Sequence, residues 1–290
     1  MRIVLAALAL LALSAPYAAA QDDAPPPQCR YNAAGQVDYQ ACLDAAPDGS
    51  PWQMLSLINL GTDAYNNADF PRAVAFYDRA QPRDGGLMYS DPLYHANYAA
   101  TLQQVGRSED ALVQARMALA VLQNAPDVPE AVRTSVGAHP VDRDLVYAGI
   151  LPVLHANDDP QTEAAMAAFI ALPAQDWVSW ANRAAVMLEI GDYPTALQAN
   201  ERALRMESAH PAVQNNQCYI LVKLERANDA LPYCERARAA APEVAAVRHS
   251  VASAYAALGR CADAESEMAQ ARRLDSVSPE YREPLACAPA

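Results

Sequence analysis

Gly191-Asp192-Tyr193-Pro194-Thr195-Ala196, Glu225-Arg226-Ala227-Asn228-Asp229-Ala230 and Gly259-Arg260-Cys261-Ala262-Asp263-Ala264 align without a gap, and their closing alanines fall 34 residues apart. Seven residues after each comes another alanine: Ala203, Ala237 and Ala271. Two antiparallel helices on a short turn approach closely only where side chains are small. Recurring alanine or glycine therefore marks the contact line, while larger residues between them fill the core. Alanine richness alone does not explain the period, because the turn chemistry recurs with it. Asp192 and Asn228 are predicted to cap the second helix of their pairs. Pro194 and Pro232 are placed in its first turn, where a missing N–H costs little.

A 34-residue helix–turn–helix period resembles the tetratricopeptide repeat. Trp180 fills that family's tryptophan place, Ala184 and Ala252 its glycine place, and Tyr255 its tyrosine place. The resemblance covers about 200 residues. It implies an all-α, right-handed α-solenoid of paired helices whose inner groove holds a peptide or a partner helix.

Working outward, Trp52 to Ala80 carries Leu57, Leu60-Gly61, Ala68-Asp69-Phe70-Pro71, Ala73, Tyr77 and Ala80 on the same skeleton. A second unit, about Pro92 to Leu122, has Tyr98-Ala99, Gly106, Ala111-Leu112 and Ala118. The step from Ala73 to Ala111 is 38, so the loop Gln81–Asp91 has grown by four. Register is then lost: Ala111 to Ala196 exceeds two periods by 17. Leu145–Ala156 and Thr162–Leu172 still show apolar residues at helical spacing, with Pro152 kinking or breaking the first helix.

The expected organisation is therefore a signal peptide over 1–20, a proline-rich leader and disulfide-clipped cap over 21–50, two repeat units over 51–122, an irregular helical hairpin over 123–175, three repeat units over 176–275, and a capping tail over 276–290. The tail is predicted to hold a short, proline-bounded helix around Glu280–Cys287, covering the last apolar face as solenoid ends require.

Arg2, the apolar run Ile3–Leu13 and Ala18-Ala19-Ala20 before Gln21 read as a cleavable secretory signal, the apolar core being too short to span a bilayer. Cleavage is expected between Ala20 and Gln21, giving a periplasmic or secreted protein. The net charge of −13 becomes −14 once Arg2 is removed, since residues 1–20 hold no acid. With a pI near 4.7 and Lys223 as the one lysine, nucleic acid and anionic lipid are poor partners. Membrane insertion after signal cleavage is not expected.

Six cysteines in an exported chain read as disulfides, with 15 possible connectivities. Cys218 and Cys234 lie at nearly the same height on the two helices of one unit, both at inward-facing places. That register predicts Cys218–Cys234; proximity then gives Cys29–Cys42, and elimination Cys261–Cys287. Two buried free thiols are the alternative at the first pair.

Catalytic signatures are lacking. The five histidines form no i, i+4 pair, and no P-loop, G-x-S-x-G or G-x-G-x-x-G is present; nothing points to a metal or cofactor. His155, Asp158 and Asp159 offer the one histidine–carboxylate grouping, so an enzyme or accessory subunit with its site in 123–175 is the alternative reading. The family's carboxylate clamp needs lysines at set groove positions, where the last repeat has Ala246 and Ser250. The sixth place of four units is asparagine instead: Asn59, Asn97, Asn182 and Asn216, with Ser250 in the fifth. Asparagine carries both acceptor and donors, so such a row can match an extended peptide backbone. Some family members resemble this closely. Asn215 and Tyr219 line the same predicted groove. The favoured function is a non-enzymatic scaffold or adaptor that binds an extended segment of an envelope partner; local packing is the competing role for the asparagines.

Overall fold

The computed structural model describes residues 25–80, 92–124 and 142–287, apart from Ala34, Gln175 and Val277. Among them every regular element is helical. The helices are α1 (Tyr39–Ala45), α2 (Pro51–Asn66), α3 (Phe70–Ala80), α4 (Pro92–Gln104), α5 (Ser108–Asn124), α6 (Arg143–Ala156), α7 (Thr162–Ala171), α8 (Trp177–Glu189), α9 (Tyr193–Met206), α10 (Pro211–Lys223), α11 (Ala227–Ala240), α12 (Ala245–Ala257) and α13 (Cys261–Leu274). They form two compact units, divided within α7 between Phe169 and Ile170. The predicted signal peptide and the enlarged loop 81–91 lie outside the described residues.

In the N-terminal unit α2 pairs with α3 and α4 with α5, while α6 packs on both α4 and α5. In the C-terminal unit the pairs are α8–α9, α10–α11 and α12–α13. Each pair closes where the sequence places small residues. Ala73, Ala111, Ala196 and Ala230 are fully buried, as are Ala203, Ala237 and Ala271.

A close contact joins the eighth place of the first helix to a place sixteen residues later on the second in two of the pairs. Gly61 meets Tyr77 there, and a Cβ on Gly61 would sit 2.8 Å from the ring. The equivalent residues in the other pairs are Ala99 and Ala115, Ala184 and Asn200, Ala252 and Met268, and Cys218 and Cys234. The last two are bonded, with Cα atoms 4.9 Å apart. Cys29 is joined to Cys42, and Cys261 to Cys287.

Every turn between paired helices is built alike. One residue takes the left-handed conformation (Ala68, Gly106, Gly191, Glu225 or Gly259). The next N–H reaches back five residues, as Asp192 to Met187 and Arg226 to Leu221, satisfying a carbonyl orphaned by the helix end. That same residue then starts the second helix by one of two chemistries. Asp69 and Asp192 accept from backbone N–H groups three residues on. Arg107, Arg226 and Arg260 instead pair with the aspartate three residues later.

Two expectations are corrected here. Asn228 is not a cap, because α11 begins at Ala227 and Arg226 precedes it. Pro232 consequently lies inside α11 rather than in its first turn. Ala68 and Glu225 hold φ near 60° with a Cβ that this region disfavours by ~1–2 kcal/mol. Ala68→Gly and Glu225→Gly should each raise stability by about 1 kcal/mol in urea unfolding. Unchanged midpoints would show that the turns are not strained.

The irregular segment differs from the other pairs for a legible reason. Asp158 adopts the left-handed turn and Asp159 N–H reaches back to Leu154, so the turn device persists. The eighth place, however, is Leu151, not glycine or alanine, and the bulky side chain is itself fully buried. Here α7 meets α6 through the Tyr147–Phe169 ring contact at 5.6 Å rather than along its length. Pro152 sits within α6 without ending it. Gly149 lets α6 lie directly on α4, where a Cβ would come within 3.2 Å of the Ala96 carbonyl oxygen.

In the C-terminal unit, Arg183 is fully buried. Its guanidinium donates to the carbonyls of Leu172, Pro173 and Ile170, around the end of α7. It also lies over Trp180, which a second guanidinium, from Arg202, overlies as well. The tail departs from expectation: Pro279–Tyr281 form a single 3₁₀ turn, and no helix spans Glu280–Cys287. Pro279 and Pro284 bracket a stretch too short to propagate one.

Candidate functional site

The first helices of the pairs carry the predicted site residues: α2 and α4 in the N-terminal unit, α8, α10 and α12 in the C-terminal unit. The sixth place faces the preceding first helix more than open groove. Asn216 Nδ2 donates to the Ala181 carbonyl of α8 at 3.3 Å, and Gly149 occupies the same place where α6 meets Ala96. Asn59 Nδ2 is likewise taken, by Leu55 of its own helix. Asn97 is half-buried on α4. The asparagines thus form two short runs, Asn59 with Asn97 and Asn182 with Asn216, each within its own unit.

The acceptor halves are different. The Oδ1 atoms of Asn182, Asn215 and Asn216 are buried without a hydrogen-bond partner. Asn215 sits at the fifth place of α10, beside Asn216, so α8 and α10 together hold three such buried oxygens. A buried acceptor left unpaired costs about 1–3 kcal/mol, which makes this cluster the most conspicuous polar feature of the unit. Asn200 of α9 is half satisfied: its Nδ2 donates to Val213 O and Gln217 Oε1, while its Oδ1 is likewise buried without a partner.

Tyr219, at the ninth place of α10, opens a second cluster that sequence reading did not assemble. Its ring lies 5.7 Å from that of His249 on α12, with Lys223 Nζ 5.0 Å from its centroid. Burial, and secondarily Lys223, push the His249 imidazole down to about 4, so it is neutral at pH 7. Glu280 Oε1 lies 3.4 Å from His249 Nδ1, and the Tyr281 ring lies 5.5 Å from the imidazole, tilted by 50°. Tyr219 and His249 meet because α10 packs on α12; no spacing rule places residue 281 there, and only the path of the tail does.

Elsewhere the candidate chemistry resolves into structure. Asp159 is buried, receives Arg116 at 2.7 Å and accepts from the Gln161 N–H. Asp158 is the left-handed turn residue, and His155 lies in the last turn of α6. Thr62 is engaged by the Tyr77 hydroxyl at 2.9 Å. No group of three metal-ligating side chains occurs among the described residues, and no helix there is long and apolar enough to cross a membrane.

No protein-family model matches the sequence, and no curated protein matches it. Solved structures do. A tetratricopeptide repeat protein from Parabacteroides merdae superposes with a TM-score of 0.61 at 12% identity, over 85% of this chain and 89% of that one. The type IV pilus biogenesis factor PilW gives 0.52 at 16%, over 80% and 98%. The Cut9–Hcn1 assembly of the APC/C gives 0.53 at 12%, over 84% of this chain and 43% of that one. With the 34-residue register and the recurring turns already described, these matches establish that the chain has the tetratricopeptide-repeat fold, an all-α solenoid of paired helices.

Proposed function

We propose that this protein is a binding scaffold, and that an extended polypeptide segment of a partner lies along the first helices of the C-terminal unit. The observation that carries this is the trio of unpaired amide oxygens of Asn182, Asn215 and Asn216. The N–H groups of an extended backbone are the donors that such a row lacks. Around it Ala181, Ala185 and Ser253 add no charge, so binding depends little on salt. Export to the periplasm, and hence an envelope partner, is supported by the Arg2-to-Ala20 leader and by the three bonded cysteine pairs.

Among the described residues Asn182 and Asn215 make no side-chain hydrogen bond, so replacing them separates binding from folding. Mature protein, immobilised and exposed to solubilised envelope, captures the partner; Asn182→Ala with Asn215→Ala should weaken that capture by roughly 1–3 kcal/mol, at ~1 per lost hydrogen bond. Equal capture by the folded double variant would remove the amide track from the mechanism. Intact mass of the exported protein tests the leader: a chain retaining Met1 would sink the assignment to the periplasm.

A further inference from the structure

The tail 276–287 does more than cover an apolar end. Tyr281 is buried against Ala252, Met268 and Ala271, which a cap requires. Glu280 goes elsewhere: its carboxylate sits on His249, a fifth-place residue beside ninth-place Tyr219. Seating a carboxylate among aromatic rings gains nothing for an apolar cap and costs desolvation. The surroundings suit it nonetheless. The His249 imidazole lies 3.4 Å from it, and the one lysine in a chain of net charge −13 lies over the adjoining Tyr219 ring. The segment bearing the pair is short, bracketed by Pro279 and Pro284, and held at its backbone by Arg272 Nε donating to the Tyr281 carbonyl at 2.7 Å. A 26-residue disulfide tether from Cys261 to Cys287 keeps it at high local concentration.

We infer that the α10–α12 end of the groove is a recognition site for an acidic residue followed by an aromatic one in a short 3₁₀ turn, and that Glu280-Tyr281 is its built-in occupant. This rests on reading the first-helix face as the binding surface. A partner carrying the same pair binds by displacing the tail, so the tail sets the threshold for occupancy.

The probe is a fluorescein-labelled synthetic peptide with the sequence of residues 278–284, followed by anisotropy. Intact protein should bind it weakly, because the tethered copy competes. Glu280→Ala with Tyr281→Ala in the protein should tighten binding at least tenfold, and His249→Ala added to that variant should abolish the gain. The labelled peptide with Tyr281→Ala should not bind. Equal, or absent, binding to the intact chain and a folded variant overturns the inference. Should the variant lose its helical signal, Cys261→Ser with Cys287→Ser keeps both anchor side chains and removes the tether; a gain in the same direction is expected, and no gain in that folded protein overturns the inference as well. Peptide binding that survives Asn182→Ala with Asn215→Ala but not His249→Ala retains this site while removing the amide track. Loss of partner capture in the asparagine variant with no peptide binding does the reverse.

Discussion

Arg183→Ala should lower the stability of the C-terminal unit by about 3 kcal/mol, the combined effect of charged hydrogen bonds worth roughly 1.5–3 kcal/mol and a buried cation–π contact of up to ~2, less what relaxation recovers. The guanidinium is fully buried and holds three backbone carbonyls at once. Truncation leaves those oxygens in a cavity beside Trp180. The positive charge faces carbonyls gathered at a helix end, where the dipole is negative. Arg183→Lys should recover only a fraction, since an ammonium cannot fork to several carbonyls and stack on an indole together. Urea unfolding followed by circular dichroism checks this, with a thermal midpoint lowered by roughly 6–12 °C as a second readout. A change below ~0.5 kcal/mol would mean the site relaxes around the missing side chain.

The second large effect is covalent. Cys218→Ala with Cys234→Ala should cost about 3 kcal/mol, the loop-closure entropy restored to the unfolded chain for partners 16 residues apart. The folded state gives a control within the same protein. Ala99 and Ala115 occupy the corresponding places in α4 and α5, both fully buried, so an alanine pair is already an accepted solution of this packing problem. Most of the loss should therefore arise in the unfolded state. In dithiothreitol the variant and the parent should unfold within ~1 kcal/mol of each other, the residue being two sulfur atoms' worth of packing. A gap of 3 kcal/mol that persists under reduction would assign the effect to packing and not to the crosslink.

The helix pairs were readable because their constraint is short-range: a turn that closes needs small residues at fixed distances, and the 34-residue alanine pattern records that need directly. The places misread are those where one geometry accepts several chemistries. Position 226 starts a helix with an arginine–aspartate pair, whereas Asp192 does so with an N-cap; assuming a cap shifted the start to Asn228 and drew Pro232 into the first turn. The left-handed residue is glycine in three turns but alanine, aspartate and glutamate in the others, so the irregular segment hid a turn that obeys the common rule. Leu151 at a small-residue place was the visible mark of its loosened pair. For the candidate site, the positions of Asn182, Asn215, Asn216 and Tyr219 on first helices followed from register. Which half of each amide is already engaged did not, because that depends on the neighbouring helix. The His249–Glu280–Tyr281 cluster was invisible, since the tail has no periodicity to follow.

The bonded cysteines have one further property: each is joined to the next cysteine along the chain, 29 to 42, 218 to 234 and 261 to 287. No bond encloses another cysteine. A polypeptide threaded through a membrane from its N-terminus would present its thiols in that same order. An oxidant acting on each pair as it emerges would arrive at the complete set without any bond having to be broken and remade. Biogenesis of this protein would then call for an oxidase but not for a disulfide isomerase, and a host lacking the isomerase alone should yield it correctly crosslinked.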